Sequence, residues 1–319
     1  MSILHSILHR LNSSCSRQAT VNKLSSSAFD FTTSTSTSRI AIHFSSRKNF
    51  GRRMSDHLDR TAHNFRQPGI SNATVTELKE VSPSVKFLTL KVANPNFHFK
   101  AGQWVDFFIP GMDSFTGFSM STTMRTFQEE GTFDLAVQKS DHPPTLWVHT
   151  QCEVGDVVGV RVGGDQINYD PSPGDPSWDV LLLAGGIGIN PMYSILQQVR
   201  DLHQERMNDP TAYKPGKVEL LYSASSMKEL IFKESIEAIA SGAEDINCHF
   251  FVTKEKITPS THISDKRIDS EAIATAIQRL DKENLRCFIC GPPPMIADIE
   301  THLEECGIRE DQIHCEKWW

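Results

Sequence analysis

The sequence predicts a two-domain chain, an antiparallel β-barrel followed by an α/β domain on a parallel sheet. Three observations carry that prediction. From about Ile70 to Gly164 the chain breaks into short β-rich runs punctuated by Gly, Pro and polar residues. Val180-Leu181-Leu182-Leu183 is a fully apolar run that opens directly into AGGIGINPM, Ala184 to Met192. Roughly a hundred residues later, Cys287-Phe288-Ile289 opens into CGPPPM, Cys290 to Met295. The expected organisation is a leader over 1–55, a barrel over 68–170 and an α/β domain over 177–319. Pro171 to Pro176 forms the linker between the two domains.

Composition sets the frame. The 319 residues allow two domains with separate cores, and 39% apolar with 22% charged residues is ordinary for a globular protein. A net charge of −7 gives no basic footprint for nucleic acid. No apolar stretch approaches the about 18 residues of a membrane span. The charge is segregated, however. Residues 1–53 hold eight Lys/Arg and the single acid Asp30, so everything after them carries −14. Ile3, Leu4, Ile7, Leu8 and Leu11 share one helical face, and Ser and Thr dominate from Ser13 to Ser46. An amphipathic, Arg-rich, Ser-rich and acid-poor leader reads as a mitochondrial transit peptide, with the matrix as destination. A low-complexity tail is the alternative.

Within the barrel region, Val75–Val81, Val85–Val92, Trp104–Ile109 and Thr132–Val137 are the strand candidates. In the α/β region, Gly185, Gly186 and Gly188 permit positive φ and let a ligand approach the backbone. Asn190 reads as the N-cap and Pro191 as the first residue of the next helix. Met192, Ile195, Leu196, Val199 and Leu202 then recur at helical spacing. The free N–H groups and positive dipole end of that helix favour a pyrophosphate, lined also by Ile187 and Ile189. The spelling G-x-G-x-x-P lacks the third glycine of the common fingerprint, and such a turn alone also reads as plain strand–helix packing. Paired with Gly291, Pro292, Pro293 and Met295 at a second strand end, it predicts a dinucleotide held between the two.

These two turns resemble the nucleotide-binding signatures of the ferredoxin–NADP reductase and cytochrome b5 reductase superfamily. The resemblance runs from about residue 70 to the C-terminus and includes the order of domains. It implies NAD(H) on the α/β domain and a flavin, FAD or FMN, on the barrel. The turn Phe99 to Gln103 is similar to the one the family places before its third barrel strand. The family's R-x-Y-S flavin strand matches Thr116-Gly117-Phe118-Ser119. By that match Ser119 would hydrogen-bond flavin N5 and Phe118 would stack without the phenol hydroxyl. Thr116 replaces the arginine of the phosphate contact, which removes a bidentate charged partner. His142 to Trp147 resembles the start of the family's short helix under the flavin phosphates, where Thr145 would offer a hydroxyl and an N–H. An ordinary capped helix is the other reading of that segment.

Cys287-x-x-Cys290 has a dithiol spacing, but i and i+3 on a strand face opposite sides, which excludes the usual redox pair. Cys290 ends the strand where the resemblance places the nicotinamide, which makes it the second catalytic candidate beside Ser119. No metal site is expected from the scattered histidines. Ser223 and Ser225 end the next strand where NADP-selective relatives carry an arginine; only Lys228 stands near as a cation, which favours NADH. Trp318 or Trp319 would cover the flavin ring, or else anchor one domain to the other. Two functions follow. One is a flavin-dependent oxidoreductase passing hydride from NAD(P)H to bound flavin, and electrons to an acceptor, a protein among the candidates. The other is a non-catalytic nucleotide-binding or interaction module with a degenerate flavin site.

Overall fold

The computed structural model describes residues 57–58, 61–258 and 260–316. The first sheet is antiparallel and contains β1 Ser71–Ser82, β2 Val85–Val92, β3 Trp104–Phe108, β4 Thr116–Ser119, β5 Thr132–Gln138 and β6 Val157–Gly163, in the order β4-β3-β6-β1-β2-β5. A bridge between Met120 and Leu135 joins the two outer strands, so the sheet closes on itself. Alternation along the strands sends Val75, Leu88, Leu90, Val105, Phe107, Phe133, Leu135 and Val160 into one core. Two short helices attach to the barrel. Helix α1, Met124–Glu130, is capped by the Thr123 hydroxyl and stopped by Gly131 at φ +71°. Helix α2 covers Pro143–Thr150.

The sequence reading omits β6 and α1. Gly159 interrupts the pattern of β6, yet it lets Ile70 and Phe108 pack against the strand; a Cβ there would lie 3.0 and 3.2 Å from them. Helix α1 has only seven residues, too few for a periodicity to register.

The second sheet is parallel, with β7 Asp179–Gly185, β8 Val218–Ala224, β9 Ile246–Val252, β10 Ile263–Ser264, β11 Leu285–Cys290 and β12 Ile313–Cys315 in the order β10-β9-β8-β7-β11-β12. Helices α3 Ile189–Asn208, α4 Lys233–Ser241, α5 Ser270–Ile277 and α6 Pro293–Glu305 cover its faces. Strand β7 is buried along its whole length, as a strand covered on both faces must be. Chain order reverses at β7, which lies between β8 and β11, so the switch point falls at the carboxyl ends of β7 and β11. The predicted fold class is the observed one.

Helix α3 buries Met192, Ile195, Leu196 and Val199 completely, and its polar side chains turn to the barrel. Asn190 donates to the Ala136 carbonyl at 2.8 Å, Ser194 to Thr122 O at 2.7 Å and Gln197 to Ser121 O at 2.7 Å. Among the described residues no helix is long and apolar enough to cross a membrane.

Candidate functional site

The two predicted turns meet. Strands β7 and β11 run parallel with Ala184 opposite Cys290, and the turns that follow interlock. A Cβ on Gly188 would sit 2.1 Å from the Cys290 carbonyl oxygen, and one on Gly185 would meet the Met295 sulfur at 2.3 Å. These two glycines therefore permit packing of turn on turn. Their φ angles are −61° and −126°, against the expectation of positive values. Gly186 alone of the three is left-handed, at φ +55°, and a Cβ there would meet nothing closer than 3.9 Å. Gly186 is thus the open face of the turn, where a ligand can reach the backbone.

The helix start also differs from the expectation. Gly186–Gly188 form one 3₁₀ turn that continues into α3, so the cap position falls on Gly188. Asn190 is therefore the second helical residue and Pro191 the third. The Asn190 amide is spent on the barrel, while its buried Oδ1 has no partner among the described residues. On the second turn Pro292 is the N-cap and Pro293 the first residue of α6, so both turns aim a helix N-terminus at the same cleft.

Cys290 and Cys287 lie in different core clusters on opposite faces of the sheet. Burial pushes the Cys287 thiol up to about 12. Burial also pushes the Cys290 thiol up, with Glu316 and Cys315 adding to the effect. Cys290 is thus a neutral, apolar wall at neutral pH. Glu316 is a residue the sequence reading missed. It is 4% exposed; burial pushes its carboxyl up to about 8 and the Trp104 hydrogen bond opposes the shift. Its Oε1 accepts from the Trp104 indole at 2.8 Å, and its buried Oε2 has no partner among the described residues.

On the barrel, Ser119 lies opposite Trp104 in the β3–β4 ladder. Phe118 is half-buried and packs edge-on against Phe107 at 5.3 Å. Helix α2 starts with Pro143 and Pro144, which carry no N–H, and Leu146 already donates to His142 O at 2.9 Å. Among the described residues Thr145 therefore supplies the one amide of that first turn without a partner, and its side chain is buried. At the far end of the cleft, Ser223 pairs with Gly185 and Ser225 O accepts from the Lys254 backbone at 2.9 Å. Glu255 accepts from Met227 N at 2.9 Å beside Ser225, which places an acid at this strand end. Just beyond, Glu229 accepts from Ser82 and Ser84 of the barrel at 2.8 and 2.7 Å. Phe232, left-handed at φ 62°, stacks on Tyr193 at 4.4 Å. Trp318 and Trp319 lie outside the described residues, as does the leader over 1–55.

The model of the oxidoreductase NAD-binding domain matches residues 182–301, which span both turns. The chain is 44% identical over 270 residues to oxidoreductase NAD-binding domain-containing protein 1 of Danio rerio, covering 84% of this chain and 99% of that protein. The chain belongs to that protein's family. Solved structures place the family's fold. The cytochrome b5 reductase domain of Ulva prolifera nitrate reductase superposes with TM-score 0.62 at 21% identity, over 77% of this chain and 97% of that one. A ferredoxin NADP+ reductase from Neisseria gonorrhoeae, solved with bound FAD and NADP, gives TM-score 0.62 at 21% identity, over 79% and 100%. This chain thus shares the two-domain fold of those structures, with its glycine turn inside the matched domain.

Proposed function

We propose that this chain is an NAD(P)H-dependent flavin oxidoreductase that favours NADH. The observation that carries the proposal is the interlock of the two turns, with Gly186 open between two helix N-termini. A pyrophosphate would suit this place, because backbone N–H groups and two dipoles face it and, among the described residues, the nearest side-chain atom to a Gly186 Cβ is Gln138 Oε1 at 3.9 Å. Gly186 to Pro191 and Gly291 to Met295 would hold the nucleotide, with Ser223 and Ser225 beneath its ribose. The Glu255 carboxylate beside Ser225 supports NADH, since an acid suits a ribose hydroxyl and repels a 2′-phosphate. The basic leader supports a mitochondrial address.

The barrel fits a flavin with one contact weakened. Phe118 would stack on its ring, Ser119 would bond its edge and Thr145 would take a phosphate. Thr116 contributes no charge. When both groups are bound, the nicotinamide supplies a hydride and the flavin accepts it. The work of the chain is to orient and to exclude water. Cys290 presents a neutral thiol that crowds the reacting end without adding charge, and Glu316 keeps a proton at neutral pH. A second reading, a nucleotide-binding module, is favoured by Thr116 together with the two prolines that open α2.

Anaerobic addition of NADH to purified protein loaded with flavin decides between them. Bleaching is expected, slowed by Cys290→Ala and nearly unaffected by Cys287→Ala, whose side chain packs on the opposite face. Failure to load FAD or FMN at all would establish the module.

A further inference from the structure

Strand β3 carries two large side chains out of the barrel. Val105 and Phe107 point into its core, so Trp104 and Asp106 take the outer face, yet both are fully buried. The described residues ahead of β1, 57–58 and 61–67, bury them. His57 Nε2 lies 2.8 Å from Asp106 Oδ1, and Arg66 Nε donates to Oδ2 at 2.9 Å. Arg161 donates twice to Oδ2, at 2.9 and 2.7 Å. Burial would raise the Asp106 pKa, but these three partners hold the carboxyl below its ordinary range. The backbone joins in, with Gln67 N donating to Val162 O at 2.9 Å and Gly164 N to Phe65 O at 3.0 Å.

The same segment grips Trp104. The Arg66 guanidinium lies 5.0 Å over the indole while donating to the Thr61 carbonyl at 2.7 Å and to its hydroxyl. His57 meets the ring edge-on at 5.5 Å. On its other side the indole presses on Gly163 and Gly164. A Cβ on Gly163 would fall 2.4 Å from the ring, and one on Gly164 would fall 2.6 Å from Nε1 and 2.9 Å from Glu316 Oε1. Besides the Trp104 N–H, Asp165 acts on the Glu316 carboxyl, and that carboxyl in turn raises the neighbouring thiol of Cys290. Clamping Asp106 alone would require no contact between Trp104 and Glu316, 212 residues apart in sequence.

We infer that His57, Thr61 and Arg66 form a positioning element for the reacting end of the site. Clamped to Asp106, they fix the Trp104 indole, which holds the Glu316 carboxyl beside Cys290 and backs Ser119 across the ladder. The inference rests on the reading of Cys290 and Ser119 as the hydride-transfer locus. Its test requires neither flavin nor turnover.

The full chain labelled with ¹⁵N has five tryptophans, and the Trp104 indole signal is the one lost in Trp104→Phe. Its resonance should titrate with Glu316, and Glu316→Gln should abolish that titration. In His57→Ala and in Arg66→Ala the indole N–H should exchange with solvent about tenfold faster. The titration midpoint should also rise by about one pH unit, because the ionised carboxylate loses a firm donor. His57→Gln, which keeps an N–H for Asp106, should restore both values. His57→Ala leaves both arginines on Asp106, so the fold survives, and a melting curve checks this. Wild-type exchange, or a midpoint that stays or falls, in both alanine variants would overturn the inference. That result would leave the flavin reading standing, and a protein that loads no flavin would still report on Trp104.

Discussion

The cleft between the two turns and the barrel face proposed for the flavin are built from different materials. The cleft is made of backbone, with two strand ends, two helix N-termini and glycines so close to their neighbours that no Cβ fits at Gly185 or Gly188. The flavin face depends on individual side chains. There a threonine stands in place of a charged partner, and two prolines remove two amide donors from the helix. Where turn packs on turn, as at Gly185 and Gly188, a backbone site tolerates almost no substitution. A side-chain site can lose one contact and keep its shape. The first is therefore preserved or destroyed whole, whereas the second weakens by degrees.

That contrast can be broken at its strongest point. Gly188→Ala should cost several kcal/mol, on the order of 3 or more, because a Cβ 2.1 Å from a backbone oxygen forces one turn off the other. Thermal melting should show a large fall, with nucleotide binding lost alongside. Unchanged melting would mean that the turns are not locked. The flavin face should respond in the opposite direction. Thr116→Arg should tighten FAD binding by roughly tenfold to a hundredfold, the worth of one charge-assisted hydrogen bond. Fluorescence titration with FAD measures it, and no gain would show that the phosphates lie elsewhere.

Glu316 offers a smaller test where the two regions meet. Its folded pKa, near 8, lies above the ordinary carboxyl value of 4.5. The folded state therefore binds the extra proton between those values, and the contribution is complete below about 4.5. It is lost as pH rises through about 8, at up to about 1.4 kcal/mol per pH unit. Glu316→Gln should flatten that slope in denaturant titrations from pH 5 to 8. Smallest of all is Gly186→Ala, whose methyl meets nothing closer than Gln138 Oε1 at 3.9 Å and which should cost about 1 kcal/mol for the left-handed backbone alone. NADH affinity should fall with it, because the new methyl occupies the open face of the turn. A loss of stability as large as that of Gly188→Ala would erase the distinction between the two glycines.

Legibility in the sequence followed the same division. The apolar runs before both turns, the helical spacing of Met192 to Leu202 and the opposed faces of Cys287 and Cys290 could be read because each is a local pattern. The position of Asn190 escapes a local reading because a 3₁₀ turn merges with α3, and no residue type marks that join. Gly188 looks like a ligand glycine in the sequence because its reason, the Cys290 carbonyl, lies about a hundred residues away. The Trp104–Glu316 bond and the Asp106 clamp were illegible for the same reason. One signal did exist, since an aspartate inside the run Trp104-Val105-Asp106-Phe107-Phe108 has to find cations if the strand is covered on both sides. The flavin face stayed undecided because the sequence itself departs there from the pattern it resembles.

Helix α3 gives three of its side chains to carbonyls of the barrel, at Ser121, Thr122 and Ala136. Ala136 lies in β5, Ser121 and Thr122 lie in the bend after β4, and the helix that donates to them begins at the glycine turn. The distance between turn and barrel is therefore set during folding, like the jaws of a wrench fixed at one width. Heat should dismantle the two sheets in a single cooperative step, without a hinge that opens first.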